Sequence, residues 1–232
     1  MFTCIIPFYN EGVRPLTTLK IISRVELITQ IVCVDDGSTD GTAELVKKEC
    51  PQTDLTILPK NGGKAQAVFW GVKKAVYENI VLIDADLLEL QAEELRAALS
   101  MYLTHQPLDM LILENRSGST LAEKIHRKNI FLSGKRILKK SDLTEILASQ
   151  PSGYQLETAI NAYMISQKRT VSWIANSARN PRRVEKIGFF KGLESDLKTE
   201  ASLIKFAGFF GYLQQMFLFC RQELRLKILR VD

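Results

Sequence analysis

IVCVDDGSTDGT, residues 31–42, decides how the fold is read. An apolar run, Ile31 to Val34, ends in two adjacent carboxylates, Asp35 and Asp36, and a Gly-Ser-Thr-Asp-Gly-Thr tract follows. The run is too uniformly apolar for a half-exposed strand and predicts one buried on both faces. The tract predicts a turn that opens a helix, with Asp40 or Thr42 as N-cap. Taken alone, the acid pair is explained by such a turn.

Runs of the same kind recur at TCII, LTIL, IVLID, DMLIL and TVSWI. Helix-period segments lie between the early ones. In residues 64–79, Ala65, Val68, Val72, Ala75 and Val76 form one apolar stripe, and LELQAEELRAALSMYLTH repeats the pattern. Strand alternating with helix predicts an open, largely parallel α/β sheet with its ligand crevice at the carboxyl ends of the strands. Asp35 and Asp36 then stand at that crevice, and so do Asp84 and Asp86 of IVLIDADLL.

The chain has 232 residues, 46% hydrophobic and 25% charged, which fits one globular domain with a tail. Net charge is +5, with Lys and Arg denser after residue 124, consistent with an anionic ligand or surface on that half or with a solvated basic face. No nucleic-acid partner is expected. Cys4, Cys33, Cys50 and Cys220 show no CxxC spacing and read as small buried hydrophobes in a reducing compartment. The opening MFTCIIPFYNEG does not read as a signal peptide, and no window reaches the ~20 apolar residues of a membrane span, so the expected location is cytoplasmic. ENRSGST (114–120) and NSARNPRR (176–183) read as mobile loops. From Gly188 the chain is dense in Phe, Leu and Met and then in Arg221, Arg225, Lys227 and Arg230. A helix of that mix suits peripheral contact with the inner face of a membrane, and packing on the domain or on a second copy in a homodimer is the plainer alternative.

Neither GxGxxG nor the P-loop pattern is present. A nucleotide site here has to use carboxylates, which suit base donors and ribose hydroxyls. Asp84 and Asp86, two apart at a strand end, can point the same way and hold a hard divalent cation, Mg²⁺ or Mn²⁺, against phosphate oxygens. PKNGGKAQA adds a glycine pair and Lys64 at a helix start, where N–H groups and an ammonium can meet a diphosphate.

IIPFYNEG (5–12), VDDGSTDGT (34–42), NGGKAQA (61–67) and DADL (84–87), in this order, closely resemble the family 2 glycosyltransferases. The resemblance covers about the first ninety residues and implies the GT-A fold, a Rossmann-like, mostly parallel sheet flanked by helices, here with a helical C-terminal tail. It implies a glycosyltransferase domain over 1–187, with a nucleotide-sugar half at 1–100, an acceptor half at 101–187, and the tail at 188–232. It implies inverting, metal-assisted transfer from a UDP- or GDP-sugar. Pro7, Tyr9, Asn10 and Glu11 then line the nucleoside pocket, Asp35 and Asp36 contact base or ribose, Gly63 and Lys64 lie near the donor, and Asp84, Ala85 and Asp86 hold donor and metal. Leu87 and Leu88 follow the acids, so the third metal ligand is not evident.

Farther on, SGKRILKKSDLTEI and SGYQLETAINAYM are similar to the acceptor side of bacterial cell-envelope and polyprenyl-phosphate sugar transferases. Carried over, Glu157 is the general base toward an acceptor hydroxyl. With a lipid-phosphate acceptor no base is needed, and Arg116 and Arg136 become the candidate phosphate grips. NPRRVEKIGFFKG resembles a loop that often supplies a His to the metal, yet it contains none, and His105 and His126 read as ordinary surface or helix residues. Any metal then depends on the carboxylates, with Asn180 as a further candidate. The acceptor class stays open between a sugar, a glycolipid and a polyprenyl phosphate. The alternatives are a nucleotide-sugar-binding subunit without turnover, and a nucleotidyltransferase, which wants a Gly-rich basic loop where this chain has PFYNEG.

Overall fold

The computed structural model describes residues 1–114, 127–151, 155–181, 202–220 and 222–224. Strands β1 (Phe2–Phe8), β2 (Ile28–Asp35), β3 (Asp54–Ile57) and β4 (Asn79–Leu82) alternate with helices α1 (Arg14–Ile22), α2 (Thr42–Glu49) and α3 (Lys64–Lys74). After β4 come α4 (Ala92–Thr104), β5 (Met110–Leu113), α5 (Lys128–Phe131), β6 (Arg136–Lys139), α6 (Lys140–Ala148), α7 (Gln155–Ser166), β7 (Val171–Ile174), α8 (Phe209–Leu218) and β8 (Gln222–Glu223). They build an eight-stranded sheet of order β3-β2-β1-β4-β6-β5-β7-β8. All neighbours pair in parallel except β6, which runs antiparallel to both β4 and β5. This is the expected mostly parallel α/β sheet.

Alternation along the buried strands sorts side chains onto two faces. Phe2, Cys4, Ile6 and Phe8 of β1 join Ile31 and Cys33 of β2 in a core with α1 and α4. Ile5, Val32 and Val34 face the other way, into a core with α3, α6 and α7. The chain places β2 and β3 on one side of β1 and β4 on the other, so the direction of winding reverses between β1 and β4. A crevice opens at the carboxyl ends of strands at such a reversal. Pro7 fits there because pairing of β1 with β4 stops at Ile5 opposite Leu82, and beyond that point a missing N–H costs no bond to β4.

Three local expectations change. Helix α3 ends at Lys74, with Ala75 extended, and Val76 is 68% exposed rather than packed. The chain must turn into β4 there, and the Val76 N–H donates to Gln30 Oε1 instead of continuing the helix. At α2 the N-cap is Gly41, not Asp40 or Thr42. Asp40 still acts from one residue earlier, accepting from the Thr42 N–H at 3.1 Å. Residues 176–181 are tied down: the Arg179 backbone pairs with Leu88 in both directions, and the Ser177 N–H and hydroxyl both donate to Glu94.

In the described part of the tail, α8 packs on α7 and α5, and β8 adds to the sheet edge beside β7. Leu203, Tyr212, Met216, Phe219 and Cys220 are buried in the second core, whereas Phe210 is 84% exposed. Gln215 of α8 accepts from Asn161 and donates to the Thr158 carbonyl, both on α7. All four cysteines are buried and free. Burial raises their thiols, Cys33 and Cys220 to about 12. No described helix is long and apolar enough to cross a membrane.

Helix α3 lies close on β1 through Gly71, where an added Cβ would come within 2.4 Å of Ile5 Cγ2. Ile5 is fully buried and β-branched, so it has little room to move. Gly71→Ala should therefore destabilise the fold: overpacking costs about 1–3 kcal/mol and outweighs the ~1 kcal/mol gained from helix propensity. Urea denaturation should show a lower midpoint with an unchanged slope; a higher midpoint means that α3 does not rest on Ile5.

Candidate functional site

Four elements meet at the crevice. Asp84 and Asp86 stand just past β4, Lys64 is the first residue of α3, Glu157 lies in the first turn of α7, and Asn180 follows β7. Between the two acids, in the turn that follows β4, Ala85 is 3% exposed and belongs to the core, while both carboxylates meet Asn180. Lys64 Nζ donates to Asp84 Oδ1 at 2.6 Å and to Glu157 Oε1 at 2.7 Å. Asn180 Nδ2 donates to Asp84 Oδ2 at 2.9 Å and to Asp86 Oδ1 at 3.4 Å. Gly134 closes one side: a Cβ there would come within 2.5 Å of both Asp84 Oδ1 and Lys64 Nζ.

Burial works against the charge on Lys64, yet Asp84 and Glu157 hold its pKa well above the usual lysine range. Burial likewise opposes the charge on Asp84, but Lys64, Asn180 and the more distant Lys135 keep its carboxyl below the usual range. Both groups thus keep their charges between about pH 5 and 9.

The acid pair of β2 does different work. Asp36 accepts from the Gly62 N–H at 2.9 Å and the Gly63 N–H at 2.7 Å, tying the loop before α3 to the sheet. Those two N–H groups, expected to face a diphosphate, are engaged by Asp36. Asp35 accepts from the N–H and hydroxyl of Ser38, the capping turn that the sequence also allowed. Its other oxygen, Oδ2, is buried without a hydrogen-bond partner. The loop after β1 is laced to the same turn: the Asn10 N–H donates to Ser38 Oγ, the Thr39 N–H donates to Asn10 Oδ1, and the Gly12 N–H donates to Thr42 Oγ1. Tyr9 and Asn10 on this loop are exposed, and Glu11 pairs with Arg14 at 3.2 Å.

Arg136 is not with these groups. It is fully buried, and its guanidinium donates to the Ser133 and Phe131 carbonyls and to Asn161 Oδ1. Its donors serve the interior, away from the crevice where a phosphate grip was expected. Arg116 and His126 lie outside the described residues, and His105 is exposed at the end of α4.

Sequence reasoning missed Lys135. It is fully buried, and Nζ donates to the Glu114 carbonyl at 2.7 Å, Asn176 Oδ1 at 3.3 Å and the Ala178 carbonyl at 2.5 Å. A Lys-Arg pair after Ser-Gly reads as surface, and nothing in SGKR signals that both cations turn inward.

Among the described residues no three His, Cys, Asp or Glu side chains form a metal-holding group. A cation here would take two protein carboxylates and complete its sphere from phosphate and water, as Mg²⁺ commonly does. The donor set of Asp84 and Asp86, hard oxygens aimed at one amide, fits that arrangement.

The family model described as glycosyl transferase family 2 matches residues 3–147. The chain belongs to this family. An uncharacterized family relative, the glycosyltransferase YaiP of Escherichia coli (strain K12), is 35% identical over 85 residues, 35% of this chain and 21% of that protein. The poly-beta-1,6-N-acetyl-D-glucosamine synthase of Staphylococcus aureus (strain COL) is 34% identical over 87 residues, 36% of this chain and 21% of that protein. The match thus spans about a fifth of each of these curated relatives. Among solved structures, glucosyl-3-phosphoglycerate synthase from Mycobacterium tuberculosis, in complex with Mn²⁺, uridine diphosphate and glucosyl-3-phosphoglycerate, superposes with TM-score 0.71 at 17% identity, covering 93% of this chain and 80% of that one. Mannosyl-3-phosphoglycerate synthase from Rubrobacter xylanophilus gives TM-score 0.63 at 16% identity, covering 88% and 75%. These structures share the fold seen here.

Lys135 supplies a pH test. Burial pushes its amine down to about 7, against the pull of Asp84, Glu114 and Glu94. The unfolded value is near 10.4, so the unfolded chain binds more protons between the two and stability rises with pH through that window. Chemical denaturation at pH 6.5 and 8 should show the wild-type chain gaining stability and Lys135→Met gaining less. Equal gains mean that Lys135 does not titrate in this range.

Proposed function

We propose that the chain transfers a sugar from a UDP-sugar to an acceptor hydroxyl with inversion, assisted by Mg²⁺ or Mn²⁺. The observation that carries this reading is the convergence of Asp84, Asp86, Lys64 and Glu157 at the reversal point of the sheet, with Lys64 within 2.7 Å of both Asp84 and Glu157. Similarity to solved enzymes in complex with Mn²⁺ and uridine diphosphate supports uridine over guanosine.

Asp84 and Asp86 are the residues to hold the cation, with Asn180 beside them. When bound, the ion neutralises charge on the departing nucleoside diphosphate. Lys64 adds a second positive charge at the same place, turning from Asp84 toward the diphosphate. Asp36 fixes the loop that presents Lys64, and the loop carrying Pro7, Tyr9, Asn10 and Glu11 forms the nucleoside side with Asp35. The acceptor oxygen attacks the anomeric carbon as the bond from that carbon to the phosphate oxygen breaks, and the electron pair leaves with UDP. Glu157 takes the acceptor proton. Its near-complete burial, at 6% exposure, keeps bulk water from competing for that proton.

A base matters for a hydroxyl acceptor and not for a polyprenyl phosphate, which is already ionised. The buried position of Glu157 beside the acids therefore supports the hydroxyl. Exposed Phe210 on the tail helix supports a further contact of this helix with a membrane surface or a second copy.

Asp86→Ala should abolish turnover of UDP-sugars while leaving the thermal midpoint within a few degrees, and EDTA should do the same to the wild-type chain. Full activity in EDTA sinks the metal role. Glu157→Gln should cut transfer to a hydroxyl about 10²–10⁴-fold with UDP affinity nearly unchanged. Loss of UDP binding in that variant points to a donor role instead. Tight UDP binding by the wild-type chain, with no hydrolysis or transfer across donors and acceptors, favours the binding-subunit alternative.

A further inference from the structure

We propose that Lys135 is a positioning residue for this site: its buried ammonium ties the end of β5 to the segment after β7 and so sets Asn180 against Asp84 and Asp86. The inference rests on the donor and cation reading above and adds a residue that this reading does not use.

Below about pH 7, where Lys135 carries its charge, each ammonium hydrogen has one acceptor: the Glu114 carbonyl just past β5, Asn176 Oδ1, and the Ala178 carbonyl. The acceptors are also linked to each other. Asn176 Nδ2 donates to the Glu114 carbonyl at 2.7 Å, and the Ala178 N–H donates to Asn176 Oδ1 at 2.9 Å. The ammonium is thus the centre of a closed network that fixes the path of residues 176–178. From the other side, Arg179 is paired through its backbone to Leu88, two residues beyond Asp86. Held on both flanks, the segment delivers Asn180 to the two carboxylates at 2.9 and 3.4 Å. The neighbour of Lys135, Gly134, walls Asp84 and Lys64.

Packing alone does not call for a cation here. A buried charge costs desolvation, and an apolar side chain of similar volume often serves stability as well or better. If Lys135 is replaced by Met, the Glu114 carbonyl still accepts from Asn176 and Asn176 Oδ1 still accepts from Ala178, while the buried Ala178 carbonyl loses this donor. The fold should therefore survive the change, while residues 176–180 lose their central tie. Groups that orient the ligands of a metal site typically alter its affinity about 10- to 100-fold when removed.

The test uses the full chain as wild type, Lys135→Met, Asn180→Ala and the double variant. At pH 6, where Lys135 is charged, calorimetry measures binding of UDP with Mn²⁺, and hydrogen exchange follows residues 176–180 without ligand. Lys135→Met should bind Mn²⁺–UDP about 10- to 100-fold more weakly and exchange faster at 176–180, while unfolding in one cooperative transition above the assay temperature. The double variant should bind no more weakly than Asn180→Ala, because Lys135 acts through that residue. Should Lys135→Met fail to fold, Asn176→Ala breaks the same network and should reproduce both effects. Unchanged exchange at 176–180, wild-type affinity in Lys135→Met, or losses that multiply in the double variant each overturn the inference alone. A wild-type chain that binds no Mn²⁺–UDP overturns the donor reading and this inference with it.

Discussion

The ammonium of Lys64 between two carboxylates is the contact on which the site depends. It joins the end of β4, through Asp84, to the first turn of α7, through Glu157, and it starts from the helix that packs on β1. Remove that charge and two partly or wholly buried acids face each other with Asp86 close by. Like charges so placed raise one another's pKa and push the elements carrying them apart. The cation thus holds together a negative cluster that the fold assembles for another purpose.

Much of this was legible because it follows from periodicity. The strands IVCVD, IVLID and DMLIL announce themselves by continuous apolar runs, and the step of two between Asp84 and Asp86 gives their shared direction once a strand precedes them. The loop glycines and Lys64 at a helix start were readable for the same local reason. Asp36 was harder. Its turn was visible, but its partners, the N–H groups of Gly62 and Gly63, lie across the sheet on a segment that no spacing rule connects to it.

Strand β6 shows where local signals end. RILK is only four residues long with a cation at each end, and its burial comes from insertion between β4 and β5. That insertion also explains the cations of SGKR. Because β6 runs against its neighbours, its start lies at the edge where theirs finish, and Lys135 and Arg136 enter the molecule among exposed carbonyl ends. Backbone oxygens there need donors, and long basic side chains supply them. Only the topology makes such positions hospitable to charge.

The bonds from Gln215 on the tail helix to Asn161 and Thr158 carry a consequence for the division of the chain. Asn161 lies one turn beyond Glu157 and also receives Arg136, so the final helix braces the same rod that bears the carboxylate. A version trimmed after β7 removes Leu203, Tyr212 and Met216 from the core they share with Leu156, Ile160 and Met164 and leaves that rod to tilt. The C-terminal segment is a buttress, and its distance from the nucleotide side in sequence hides how near it stands to the chemistry.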